Sequence, residues 1–357
     1  MRNLLLVFIL SVIFAPVLRA QTQAPLTQAE FVKTLYELQK SPSKRDWLIE
    51  QIRQRGIGFE MTEPLRSLMQ SKSGDAVLAR TLEEAGRRRS NPTTATLPSE
   101  KEANELLIKA RETTLASLDE MPDFVVKQLV SRSNAYAKTN NFQSADKLTV
   151  AVSYSAEKGE DYKVLAINGI PQPEEKAQQS YMKVGGTTSA GEFVTVLASI
   201  FKPESKTEFR AVDTDTLRGR RAIVYEYSVK RINSKQVITS VDLIPQSTVS
   251  GYRGKIWVDR ETSRVLRVEQ EATEIPNDFP IRGASREIDY DWVAIGDLKY
   301  LLPLASDVRL TSRYRDQLFE SRNQIRFRNY QKYGSEVKIL DEDETVEETP
   351  KEEKKPQ

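Results

Sequence analysis

The chain contains neither histidine nor cysteine, and this bounds its chemistry before any pattern is read. Without histidine there is no Ser-His-Asp or Cys-His catalysis, no imidazole zinc site, and the commonest general base at neutral pH is missing. Without cysteine there is no thiol chemistry, no disulfide and no acylation on cysteine. Carboxylates, lysines and tyrosines remain. Glu269 and Glu271 alternate on one strand face, which suits a carboxylate hydrolase only if a partner acid stands at the right distance. Spacing alone places no such pair. Asp213 and Asp215 flank Thr214, yet a calcium loop needs several more oxygen ligands and a closing Glu. Gly185-Gly186-Thr187-Thr188-Ser189-Ala190-Gly191 looks like a phosphate cradle. It lacks the Gly-Lys-Ser/Thr ending of a P-loop, and no Gly-x-Gly-x-x-Gly occurs. It reads instead as the lead-in to a helix over 192–201. Arg87-Arg88-Arg89 could touch an anionic surface, but cations also gather at solvated helix ends. Arg326 and Arg328 flank Phe327 on the opposite strand face, as charges on a solvent face or at a sheet edge do. The expectation is a protein that is no enzyme and needs no cofactor or metal.

Elements that would position a site are plainer than the site. The 357 residues are 39% hydrophobic and 29% charged, enough for a bundle and a larger domain. Residues 1–20 carry Arg2, an apolar run from Leu4 to Phe14 and Leu18-Arg19-Ala20. That is the pattern of a cleaved secretory signal, and the run is short for an uncleaved membrane anchor. A periplasmic or secreted location follows, with no integral span after cleavage. The tail 341–357 has eight acids against three lysines and reads as disordered. The body 21–340 then carries +5, too weak and scattered to suggest nucleic acid.

Four short helices are expected over 27–90. Thr27 and Glu30 form a capping-box pattern ahead of Phe31, Leu35 and Leu38. Pro42 and Ser43 open a second helix with Trp47, Leu48, Ile49 and Ile52 on its apolar face, closed by Gly56. Thr62 starts a third helix and Asp75 a fourth. Arg87 to Leu97 reads as charged helix end and linker, with 91–97 as the linker proper. Ser99 and Glu102 then start a long helix to Asp119. Strands follow at 124–132, 149–154 and 162–167. After the helix over 192–201, the pattern is strand to the end: 207–212, a turn at 213–216, then 222–230, 251–273, 285–292, 297–303, 306–313 and 320–330. In AIVYEYSVK, Ile223, Tyr225, Tyr227 and Val229 share one face. In the hairpin Gly251–Thr273, Ile256 and Val258 share a face, as do Leu266 and Val268, around the turn Asp259–Arg264. Trp257 lies opposite Ile256 and Val258, either exposed to a partner or packed under a loop. The fold class is α+β: a large curved antiparallel sheet over 98–340 with helices on its concave face, preceded by a small all-α bundle.

The order helix, Met121-Pro122-Asp123-Phe124, Gln128, Arg132, paired strands, Asn168-Gly169, helix, then Gly254-x-Ile256-Trp257-Val258-Asp259 and Val265-Leu266-Arg267-Val268-Glu269 resembles exported bacterial proteins of the LolA/LolB-like, lipoprotein-sorting group. That group includes the sensor domain of RseB and MucB. The resemblance covers about residues 98–338. It implies a half-open barrel whose concave face holds acyl chains or lipidated segments. On that reading the chain is a carrier or sensor of a lipid or lipoprotein. The ligand-facing candidates are Ile223, Tyr225, Tyr227, Val229, Ile256, Val258, Leu266 and Val268, the rows that would otherwise be core against the two helices. The alternative is a structural or protein-interaction module of the cell envelope, with residues 27–90 meeting a protein partner.

Overall fold

Thr27 and Glu30 close a reciprocal cap at the start of α1 (Gln28–Leu38). The Glu30 N–H donates to Thr27 Oγ1 at 3.2 Å, and the Thr27 N–H donates to the Glu30 carboxylate at 2.8 Å. In this computed structural model the described residues are 24–333, except 74, 91, 93–96, 174–180, 182–183 and 241–244. The expected signal segment 1–20, most of the linker 91–97 and the tail 341–357 lie outside them. Next, α2 (Lys44–Arg55) ends at Gly56, whose φ of 69° suits glycine. Then come α3 (Glu63–Lys72) and α4 (Ala76–Ser90). Asp75 opens α4 by accepting the Leu78 N–H at 2.8 Å, and Arg45 holds its carboxylate from α2 at 2.6 Å.

These four helices share a core of their own around Phe31, Leu35, Leu48, Ile52, Leu78 and Leu82. Trp47 is not in it. It is 51% exposed, against expectation. Leu48, Ile49 and Ile52 define the buried stripe, and at 3.6 residues per turn Trp47 points away from its centre. Three consecutive residues cannot share one helix face.

Ser99 caps α5 (Glu100–Asp119) through the Glu102 N–H at 3.2 Å. The strands are β1 (Phe124–Tyr136), β2 (Gln143–Ser155), β3 (Gly159–Ile167) and β4 (Ile170–Pro171). After α6 (Thr195–Phe201) come β5 (Glu208–Leu217), β6 (Arg220–Val229), β7 (Val237–Ser240) and β8 (Gln246–Val249). The chain then runs through β9 (Gly251–Asp259), β10 (Val265–Thr273), β11 (Ile281–Ile295), β12 (Leu298–Tyr314) and β13 (Gln317–Lys332). Eleven strands form one sheet in the order β4-β3-β2-β1-β13-β12-β11-β10-β9-β6-β5, while β7 and β8 form a separate hairpin. Laid flat, such a sheet would be about 48 Å wide at the usual strand spacing. Yet one apolar core joins residues of β1–β3, β6 and β9–β13 with α5 and α6. Two helices about 10 Å across reach that many strands only if the sheet curls around them. The fold is therefore α+β as expected, with helices first, then the large antiparallel sheet.

Several element boundaries differ from expectation, and bulges explain two of the differences. No turn forms at 213–216. Ala211 pairs with Tyr225 and Asp213 with Val224, so Val212 is an inserted residue. The strand continues to Leu217 and turns at Arg218-Gly219, with φ of 47° and 76°. Likewise 297–303 and 306–313 are one strand. Tyr290 pairs with Pro303 and Asp289 with Ala305, so Leu304 is extra. A bulge is where a strand tolerates proline. The helix expected from 192 begins only at Thr195.

Candidate binding surfaces

On the helix-facing side, Ile223, Tyr225, Tyr227, Val229, Ile256, Val258 and Val268 are all buried in the one core cluster that includes α5 and α6. Tyrosine hydroxyls pin the helical elements to the sheet. Tyr225 donates to Ala103 O at 2.8 Å, Tyr252 to Ser199 O at 2.7 Å and Tyr290 to Glu192 O at 3.0 Å. The rows are thus packed with side chains. Leu266 does not share a face with Val268. Val265 pairs with Val258 and Arg267 with Trp257, so Leu266 is a bulge residue. It packs with Leu217, Ala222, Val224 and Trp257 on the opposite side. Two buried polar groups stand unsatisfied in the apolar face. Gln128 is fully buried with neither amide atom hydrogen-bonded, and the Ser306 hydroxyl is also without a partner.

Trp257 is buried, so it is not an exposed contact. Its indole N–H donates to Asp215 at 2.8 Å, and Arg267 lies 5.8 Å from its ring centre. The helical bundle docks beside it. Arg80 approaches Asp215 at 3.5 Å, Arg88 pairs with Asp213, Arg87 meets the Thr216 hydroxyl, and the Thr214 hydroxyl donates to Glu84 at 3.1 Å. The basic run on α4 is therefore no simple solvated helix end: Arg87 and Arg88 bind β5. Their signal in the sequence was complementary charge, two acids at 213 and 215 against three arginines at 87–89.

A cleft of about 1590 Å³ opens between the bundle and the outer face of the sheet. One wall is α2 with the turn into α4, including Arg45, Asp46, Glu50 and Arg53. The other runs across the sheet from β5 to β13. Strand register lines up its floor. Glu226, Lys255, Glu269, Glu287, Asp307 and Gln324 stand directly opposite one another on successive strands. Arg326, on the next row, belongs to β13, which is interior to the sheet and not an edge. Three like charges side by side repel. Arg267 offsets part of this, approaching Glu287 at 3.0 Å and pairing with Asp289, while Arg322 pairs with Asp307.

Burial, reinforced by the charges of Glu269 and Asp289 against the pull of Arg267, pushes the Glu287 carboxyl up to about 7. A carboxyl whose folded value lies above its unfolded one contributes stability below the unfolded value, and that contribution is lost as pH rises through about 7. With 27% of its side chain exposed, solvent screening leaves about 2 kcal/mol. Urea unfolding between pH 5 and pH 8 should show the wild type losing about that much stability, and Glu287→Gln losing far less.

Neither motif that hinted at chemistry is completed. Glu271 is paired with Arg253 at 3.2 Å, and Glu269 faces Glu287 and Lys255. In the 185–191 segment, Asn323 donates to Thr187 O at 2.7 Å, and the Gly191 N–H donates to Glu160 at 2.9 Å. Glu192, also buried, accepts from Ser189. A loop already facing two buried carboxylates is a poor cradle for phosphate. Among the described residues no group of three or more acids is placed to hold a metal ion, and no helix is long and apolar enough to cross a membrane.

Fold and surfaces define a class: an α+β protein with an open antiparallel sheet, packed helices on one face and a charged cleft under a helical bundle on the other. No family model and no curated protein matches the sequence. Among solved structures, the chain is similar to a LolA superfamily protein from Nitrosomonas europaea, at 10% identity over 64% of this chain and 93% of that one, TM-score 0.31. It is also similar to a putative outer membrane lipoprotein-sorting protein domain from Vibrio parahaemolyticus, at 15% identity over 66% and 95%, TM-score 0.33. The MucA/MucB complex of Pseudomonas aeruginosa follows at 11% identity over 61% and 93%, TM-score 0.17. These are the kinds of protein that the sequence resembles.

Proposed function

We propose that the chain is an exported, non-enzymatic binding protein of the carrier-or-sensor kind, and that it holds a polypeptide of the cell envelope in the cleft between bundle and sheet. Export rests on the pattern of residues 1–20. One contrast supports the occupant. The helix-facing rows are filled by packed side chains, while the bundle-facing side leaves about 1590 Å³ of charged space. An extended segment crossing that floor would meet Glu226 and Lys255, then the acids Glu269, Glu287 and Asp307 in a row, and be read by its own charge pattern. Such an interface is polar, wet and salt-sensitive. The bundle then has a role as one wall, in keeping with a partner for residues 27–90.

A second reading places an acyl ligand between the sheet and α5 and α6, against Ile223, Tyr225, Tyr227, Val229, Ile256, Val258 and Val268. The unsatisfied amide of Gln128 favours it, since a polar ligand head would complete that group. The helices would have to lift to admit it. Photo-cross-linking in the producing cell separates the two readings. A photoreactive residue at Gln324, on the cleft floor, should capture a discrete polypeptide, and one at the exposed turn residue Glu157 should not. Acyl material in an organic extract of the purified protein, with no adduct at 324, would favour the second reading.

A further inference from the structure

Two hairpin turns meet at one end of the sheet, just past Thr311 and Glu320 of the cleft lining. Strands β12 and β13 outrun their neighbour β11, whose first residue, Ile281, pairs with Ser312. The turn Arg313–Gln317 therefore projects. On its other side β1 ends with Tyr136 opposite Phe319, and the turn from β1 to β2 lies alongside. The two tips are joined: the Tyr136 and Phe319 rings are 5.1 Å apart, and the Ala137 N–H donates to Leu318 O at 3.0 Å.

What the tip presents is unusual for a soluble turn. Tyr136 is 58% exposed and Tyr314 64%. Around them stand Lys138, Arg313 and Arg315, all exposed, with Asp316 as the acid within 136–142 and 313–317. Lys138 and Arg315 hold φ of 66° and 54°, where Gly or Asn would sit at lower cost. Both turns thus spend a strained position on a cation. Tyrosine, with an apolar ring and a wet hydroxyl, suits a water–lipid boundary, and cations beside it suit anionic headgroups. Lys138, Arg313, Tyr314 and Arg315 are all exposed at the turn tips, and a fluid lipid surface can take such side chains without a preformed groove.

We infer that this end of the sheet, through Tyr136, Tyr314, Arg313, Arg315 and Lys138, rests on an anionic membrane surface. Contact is peripheral, through turn residues that belong neither to the cleft lining nor to the helix-facing core. It is independent of what either one binds.

The test is co-sedimentation of the purified full chain with vesicles. One set is phosphatidylethanolamine with one quarter phosphatidylglycerol (a roughly physiological anionic load); the other is phosphatidylcholine alone. The protein should partition onto the anionic vesicles and much less onto the neutral ones. Each cation near such a surface contributes about fivefold, so Arg313→Gln with Arg315→Asn should weaken partition by about 25-fold. Tyr136→Ser with Tyr314→Ser should weaken it several-fold. All four positions are exposed, and unchanged thermal unfolding of the variants would confirm that folding is intact. Absence of partition, equal partition onto both vesicles, or variants that bind like the wild type would overturn the inference. A polypeptide cross-linked at position 314 without vesicle binding would assign the tip to a protein instead.

Discussion

Trp257→Ala should destabilise the protein by about 4 kcal/mol, the largest loss expected of any single truncation in the hairpin. The indole fills the small outer core with Leu217, Ala222, Val224 and Leu266, so its removal leaves a cavity that a sheet cannot easily close. It also takes a donor from Asp215, a buried carboxylate that keeps the Thr216 N–H at 2.7 Å, Arg80 at 3.5 Å and the nearby charges of Arg87 and Arg53. Asp215 faces the bundle, so the loss should also loosen α4 from β5. Urea unfolding followed by circular dichroism reads the first effect. Limited proteolysis between residues 90 and 99 reads the second, with faster cleavage in the variant. Trp257→Phe keeps most of the volume and loses the hydrogen bond. It should cost about 1 to 2 kcal/mol.

Gly254→Ala should cost about 3 kcal/mol or more, although it adds one methyl group. Gly254 sits on β9 opposite Gln270 and Tyr227. A Cβ there would overlap the Glu269 carbonyl oxygen and stand 2.7 Å from its carbon and 3.0 Å from Gln270 Cα. These are backbone atoms of the adjoining strand, so relief requires β9 and β10 to part. Gly283→Ala is the control. Its nearest neighbour would be Thr311 Oγ1 at 3.5 Å, an ordinary contact, and the change should be near neutral. Comparing the two urea midpoints tests whether the hairpin's close approach, rather than loss of glycine, sets the cost.

Local signals were legible in the sequence because they depend on a few neighbouring residues. The Thr27–Glu30 cap, the Gly56 stop, the Ser99 cap and the alternation of Ile223 to Val229 all appear where spacing puts them. What escaped reading is set across strands or between layers. The bulges at Val212, Leu266 and Leu304 insert one residue each, so period-two reading fails just beyond them. That is why alternation alone puts Leu266 on the face of Val268, while the bulge turns it to the other side. The pairing of Arg87 and Arg88 with β5 joins segments more than a hundred residues apart. Neither local propensity nor periodicity carries such a contact. The cleft floor is the same kind of feature. Glu269, Glu287 and Asp307 are unremarkable in their own strands and become an acidic row only through register.

On the proposed function, the open, charged side of the sheet binds and the helix-facing side is core. Photo-cross-linking from Gln324 in the producing cell distinguishes the two sides. The expected result is a discrete polypeptide adduct at 324 that fades in high salt and is absent from Glu157. No adduct at 324, with stoichiometric acyl material recovered from the purified chain, would contradict the claim and move the ligand to the face lined by Ile223, Tyr225, Ile256 and Val268.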